Sequence, residues 1–374
     1  MDFLRFGLLV AGVVCVATGL LPVDEAGASL SRIAPLLLFL TAVIVLAELA
    51  REARVFDVVA VRLAVLGRGF TWALFLLCVA FAATTTVVLN LDTTAVLLTP
   101  VFLALSVRIG ISALPLAMTT LWLANTASLL LPVSNLTNLL AAERVAADPF
   151  AFAGRMWLPQ VVAVAVTTVV LWVCHWRRES VRYTVPAPVV LVGRERALFR
   201  WNAGACVLFV VAIPVLRSEV EWAALGAASV AVGAFLVHDR RRLGFGLFPW
   251  RLLVFVSGLF LVVPTVSRYG LSDALAVIGS GDPLRTAAVS AGLANLINNL
   301  PAYAAVEAVV PAADLPAVLI GTNVGAVVTP WASLATLLCL EFCRAHGVRV
   351  RVWRLVGEGL VLASVAVTAC ALVL

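Results

Sequence analysis

The chain has 374 residues, 63% of them hydrophobic and 12% charged, with a mean hydropathy of +1.11 and a net charge of +6. Such a composition cannot cover a water-exposed surface, so a soluble protein is excluded and the chain is placed in a bilayer. A nucleic-acid partner is excluded as well, because the arginines lie in short connections beside apolar stretches rather than on one domain face.

Runs close to the roughly 20 apolar residues that cross about 30 Å of hydrocarbon recur along the chain, often with Trp at their ends. In order, simple spans are expected at 3–21, 33–50, 157–173, 201–216, 222–237, 252–266 and 355–374. Arg5 before the first run and Ala26-Gly27-Ala28 after it imitate a signal peptide. Removing that run would leave the first half without a partner for the span at 222–237, so it is read as a retained span.

The stretch about 70–108 carries a polar knot, Asn90-Leu91-Asp92-Thr93-Thr94, and the stretch about 283–311 carries Asn295 and Asn298-Asn299-Leu300-Pro301. Both are read as re-entrant hairpins, because backbone at membrane depth must find partners inside the protein and Asn, Asp and Thr supply them. The plainer alternative is a pair of ordinary spans joined by a buried turn.

Two longer stretches, about 114–142 and 315–340, repeat one another without a gap. Asn125, Pro132, Leu136, Leu139 and Leu140 match Asn323, Pro330, Leu334, Leu337 and Leu338. Each has a proline and small polar residues inside an otherwise apolar run, Ser134-Asn135-Leu136-Thr137-Asn138 in one and Trp331-Ala332-Ser333-Leu334-Ala335-Thr336 in the other. Each is expected to be one broken helix, and paired interruptions of this kind mark a transporter's binding site.

The fold class expected is therefore an all-α polytopic membrane protein with about nine transmembrane helices, two re-entrant hairpins and two broken helices. Arginine clusters at 51–68, 177–200, 240–242 and 344–354 belong on the cytoplasmic side, and the poorer connections belong outside. That count sets the amino terminus inside and the carboxyl terminus outside, and makes residues 1–175 and 201–374 an inverted repeat joined by a cytoplasmic linker at 176–200. The basic loops add contact with anionic lipid.

A broken helix presents free N–H groups and a positive dipole end at one half, and bare carbonyls at the other. Ser134, Asn135, Thr137 and Asn138, with Ser333 and Thr336, add neutral donors and acceptors, so an anion or oxyacid suits one end and a cation the other. Asp92 is the exception. A carboxylate at that depth needs a proton or a cation, which makes it the candidate proton carrier; the structural alternative is a cap on the helix 93–107. Glu48, Glu307 and Glu341 fall near span ends and read as interfacial. His175, His238 and His346 sit beside arginine clusters, which argues against a histidine proton relay.

Seven cysteines show neither CxxC nor zinc spacing, so no disulfide framework, metal site or cofactor is expected. Cys339 and Cys343, four apart, share a helix face and could aim two thiols at a soft metalloid, although buried membrane cysteines usually act as small hydrophobes. Proteolysis by paired aspartates lacks a second deep Asp, and HExxH is absent, so an enzyme is not expected. A passive channel is disfavoured by two interrupted helices in a repeat.

The strings at 124–140, 321–338, 91–100 and 295–301 resemble the arsenite/antimonite permeases of the ion transporter superfamily, which also holds sodium/dicarboxylate cotransporters and sodium/proton antiporters. The resemblance covers nearly the whole chain in order. It implies that Asn90, Asp92, Thr93 and Thr94 form an inner hairpin tip and Asn298 and Asn299 an outer one. It further implies a site lined by Asn125, Ser134, Asn135, Thr137 and Asn138 and by Asn323, Thr329, Ser333 and Thr336. Two departures stand out: Leu91-Asp92-Thr93 replaces the usual Asn-Asp-Gly, and Asn323 replaces an acidic residue.

The implied activity is export of arsenite or antimonite in exchange for protons at the plasma (inner) membrane, with hairpin-bearing cores moving against a scaffold. The alternatives within the superfamily are sodium- or proton-coupled transport of organic anions such as dicarboxylates, and sodium/proton antiport. Superfamily relatives also imply a homodimer, and in some systems a cytoplasmic ATPase partner. The chain itself has no GxxxxGK motif for ATP.

Overall fold

The computed structural model describes residues 2–146, 149–216, 220–266, 268, 281–307 and 309–374. Among them the regular structure is helical: α1 (Asp2–Ala17), α2 (Val23–Glu52), α3 (Val55–Leu66), α4 (Thr71–Val88), α5 (Leu91–Ile109), α6 (Ala113–Thr126), α7 (Leu136–Val145) and α8 (Pro149–Cys174). Then come α9 (Gly193–Leu216), α10 (Val220–His238), α11 (Trp250–Val266), α12 (Pro283–Ile297), α13 (Asn299–Glu307), α14 (Leu315–Leu319), α15 (Leu334–Ala345) and α16 (Val352–Ala371). Asp273, one of the aspartates read as not lying deep in a span, falls outside the described residues. Six of the described helical stretches, 33–52, 71–88, 91–109, 149–178, 221–238 and 352–371, are long and apolar enough to cross a membrane.

These helices form two compact units, residues 1–55 with 190–274 and residues 56–189 with 275–374. Each unit draws on both halves of the chain. The first contains α1, α2, α9, α10 and α11. Here α1 meets α11 at backbone distance, since a Cβ on Gly258 would lie 2.5 Å from Leu9 N and one on Gly12 would lie 2.7 Å from Leu261 Cβ. On α10 the buried face is Ala223, Ala224, Ala227, Ala228, Ala231 and Ala234, whose small side chains let it pack closely against α2 and α9.

The second unit contains α3 to α8 and α12 to α16. Its centre is α5, which buries fourteen of nineteen residues and packs on α6 and α15. The helix α3 falls in a stretch expected to be a basic loop. Its apolar residues Val55, Phe56, Ala60, Val61, Leu63 and Ala64 are buried, and Asp57 pairs at 3.0 Å with Arg108 at the end of α5. Part of the linker is also folded. Trp176 and Tyr183 are buried, Tyr183 Oη donates to Ala64 O at 2.6 Å, and Thr71 N donates to Val181 O at 3.1 Å. The linker's far end, expected to run to residue 200, is already helical from Gly193 in α9.

His175, beside Arg177 and Arg178, packs into the fold. It is buried at the end of α8, with Nε2 3.0 Å from Glu358 of α16 and its ring edge-on to Trp122 of α6. The carboxylates read as interfacial do have partners near helix ends: Glu48 pairs with Arg51, Glu307 with Arg144 and Glu341 with Arg344.

Candidate substrate and ion site

Each proline-containing stretch interrupts its helix. After α6 the chain runs through Leu131 in extended conformation and a single tight turn, Pro132–Ser134, before α7 begins. After α14 a π-helical turn, Ile320–Val324, leads into Gly325 and an irregular stretch that ends at Ser333, where α15 starts. Both second halves are capped by their own sequence: Asn135 Oδ1 accepts from Thr137 N at 3.2 Å, and Ser333 Oγ accepts from Thr336 N at 3.1 Å.

An interruption frees backbone groups that lipid cannot satisfy, and in both breaks a side-chain amide from a neighbouring helix takes them up. Gln160 of α8 accepts from Leu129 N at 2.8 Å and Leu130 N at 3.1 Å, and donates to Thr126 O at 3.4 Å. Asn295 of α12 accepts from Val328 N and Thr329 N, both at 3.0 Å, and donates to Gly325 O at 2.7 Å. Thr329 Oγ1 returns a bond to Asn295 O at 2.8 Å. Thr329, expected to line the site, is thus engaged in holding the break. Gln160 was not expected in the site at all, yet it is the one glutamine in the sequence and stands inside an apolar span. That signal was legible.

The two breaks are joined to each other. Asn125 Nδ2 donates to Thr336 Oγ1 at 3.3 Å, while Asn323 Nδ2 donates to Asn138 Oδ1 at 2.7 Å. The offset that relates Asn125 to Asn323 along the chain also relates Asn138 to Thr336, so the two contacts are reciprocal. Thr137 Oγ1 completes the bridge by donating to Asn323 Oδ1 at 2.7 Å. Asn138 also donates to Ser128 O at 2.7 Å and Leu131 O at 3.0 Å, and Asn135 donates to Ser128 Oγ at 3.3 Å. The carbonyl end of α6 therefore meets the amino end of α15, and the π-helical turn meets the amino end of α7.

The helix junctions touch these breaks too. Between α4 and α5, Ser134 Oγ donates to Val87 O at 2.8 Å. Between α12 and α13, Asn298 Nδ2 donates to Trp331 O and Asn299 N to Ala332 O, both at 2.8 Å. Asn298 has φ +101° and ψ 151°, a region nearly confined to glycine, and such strain gathers where a backbone clamps a site.

Asp92 does not cap α5. That task falls to Asn90, whose Oδ1 accepts from Thr93 N at 2.7 Å, while Thr94 Oγ1 donates to Asn90 O and receives a bond from Thr86. Asp92 sits in the first turn with a buried Oδ1 that has no hydrogen-bond partner among the described residues. Thr93 Oγ1 and Asn125 Oδ1 are likewise buried without partners. Such orphaned oxygens cost about 1–3 kcal/mol each unless a ligand, ion or proton satisfies them.

The remaining polar groups are neutral. Asn125, Ser128, Ser134, Asn135, Thr137, Asn138, Thr322, Asn323, Ser333 and Thr336 are all buried. No arginine is buried among the described residues. The amino ends of α7 and α15 supply partial positive charge, and the carbonyl end of α6 partial negative charge.

Comparison with known proteins agrees with a transporter. The family model described as Citrate transporter matches residues 4–340. The Arsenical pump membrane protein of Escherichia coli is 27% identical over 337 residues, covering 80% of this chain and 76% of that one. An uncharacterized transporter of Mycobacterium tuberculosis is 24% identical over 365 residues, covering 90% and 84%. Among solved structures, the YdaH transporter of Alcanivorax borkumensis aligns over 99% of this chain and 95% of its own, with 15% identity and a TM-score of 0.44.

Proposed function

This chain belongs to the citrate transporter family, and we propose that it is a secondary active transporter exporting arsenite or antimonite in exchange for protons. As a family member it is a multi-pass helical membrane transporter working within the lipid bilayer. The finer reading has the stretches about 70–108 and about 283–311 as re-entrant hairpins in an inverted repeat. Its amino terminus is cytoplasmic, its carboxyl terminus is outside, and alternating access occurs around the two breaks at the inner membrane.

The observation that carries this reading is the neutrality of the bridged breaks, in the unit that also holds an Asp92 oxygen without a hydrogen-bond partner. A multiply charged anion in a low-dielectric site needs fixed cations, and the buried polar residues here are amides and hydroxyls. Arsenous acid is a neutral oxyacid at pH 7, with three hydroxyls to match such donors and acceptors. Relatives named arsenical pump membrane proteins support the same cargo. Asp92 supplies a place for the counter-transported proton, because its Oδ1 is free of the capping role.

A second reading keeps the fold and changes the cargo to an organic anion such as a dicarboxylate, coupled to sodium or protons. It is favoured by the family's description and by two helix amino ends turned into the breaks, α7 and α15, which suit a carboxylate.

Uptake of arsenite into inverted membrane vesicles under an imposed pH gradient tests both. Gradient-driven accumulation by the native chain that is lost in Asp92→Asn supports metalloid–proton exchange with Asp92 as carrier. Movement of a dicarboxylate or of sodium, with arsenite left behind, overturns it in favour of another branch.

A further inference from the structure

Cys339 and Cys343 stand one turn apart on α15, Cys339 within two turns of its capped amino end, and both are buried. Residues four apart on a helix are surface neighbours, so the two thiols share one buried face of α15. Cys339 Sγ donates to Ala117 O of α6 at 3.6 Å. From α5, which packs on α15, Thr99 brings a fully buried hydroxyl that has no hydrogen-bond partner among the described residues. Three helices thus converge on two free thiols and one idle hydroxyl. Two sulfurs one turn apart on the same helix face need little movement to share one soft centre.

We propose that Cys339 and Cys343 form a dithiol site for a trivalent metalloid, arsenic(III) or antimony(III), with Thr99 as a neighbouring oxygen donor. The inference deepens the metalloid reading and rests on it for the ligand's class. The reaction is a condensation: two As–O bonds of arsenous acid break, two As–S bonds form, and each thiol hydrogen leaves with one hydroxyl as water. The product is a dithioarsenite bearing one hydroxyl. Arsenic stays trivalent throughout, so neither oxidant nor reductant is needed. Reactants and products are all neutral, so the exchange proceeds without leaving a charge in a low-dielectric interior. An isolated thiol would hold arsenic through one exchangeable bond, whereas the second sulfur makes the later step intramolecular.

The test uses the purified full-length chain in detergent with phenylarsine oxide, whose arsenic condenses with two thiols and releases one water. Intact mass and thiol titration are the readouts. The expected result is one arsenic retained per chain with two thiols lost, reversed by a competing small dithiol. Retention should fall about 10²-fold or more in Cys339→Ala and in Cys343→Ala, and stay unchanged in Cys78→Ala. If either variant fails to fold, fragmentation of the native adduct must locate arsenic between residues 339 and 343. Absence of an adduct, or an adduct carried by other cysteines, overturns the site. Vesicle transport run in parallel separates the two ideas. Arsenite accumulation without an adduct discards the dithiol alone, while an adduct without accumulation keeps the site and discards metalloid export.

Discussion

Asn323 Nδ2 donates to Asn138 Oδ1 across 2.7 Å, joining two residues 185 positions apart, one from each interrupted helix. The Asn323 amide cannot flip without losing both this bond and the one it accepts from Thr137. It is therefore held in one orientation by the other interrupted helix.

A double-mutant cycle should register that coupling. Asn323→Ala leaves the buried Asn138 Oδ1 without this donor, and Asn138→Ala leaves Asn323 Nδ2 without this acceptor. Each is expected to cost about 1–3 kcal/mol. The double variant should cost less than the sum by about 0.5–3 kcal/mol, read from unfolding in detergent. Strict additivity would mean that the bridge is not formed in the folded protein.

Replacing Gln160 by Leu removes the acceptor for Leu129 and Leu130 N–H while keeping side-chain bulk. Those two amides should exchange with deuterium markedly faster, with a stability loss of about 1–3 kcal/mol per orphaned group. Asn295→Leu should do the same at Val328 and Thr329. Unchanged exchange at these four amides would show that other groups hold the breaks.

Asn298 combines a strained backbone with a bond to Trp331 O. Asn298→Ala loses the bond and keeps the strain, whereas Asn298→Gly loses the bond and relieves it. The alanine variant should therefore be less stable than the glycine variant by about 1 kcal/mol or more. Equal unfolding midpoints for the two would argue against the positive φ.

On α16, Gly359 faces the second break so closely that an added Cβ would lie 2.3 Å from Val327 O and 2.9 Å from Val328 Cα, while Gly357 has open space. Gly359→Ala should force α16 away from the break, costing about 1–3 kcal/mol and reducing transport. Gly357→Ala should be neutral, or stabilising by about 0.5–1 kcal/mol through helix propensity. Transport equal to the native chain in Gly359→Ala would contradict the close approach.

Composition alone placed the chain in a bilayer, because its apolar fraction leaves too little polar surface for water. The two broken helices were also legible, since Pro132 and Pro330 remove backbone donors within apolar runs and matched asparagines precede them. What sequence could not decide was which polar residues act and which hold. Asn90 rather than Asp92 caps α5, Thr329 serves the break through Asn295, and Gln160 enters from α8, thirty residues beyond the amides it satisfies. Likewise α3 forms in a stretch rich in arginine, because its apolar residues are buried by tertiary packing that local charge does not reveal. Hydrophobicity and proline act locally and are written in order along the chain. Hydrogen-bond satisfaction at a break is a long-range requirement, and only the folded chain shows which amide, 30 or 185 residues away, meets it.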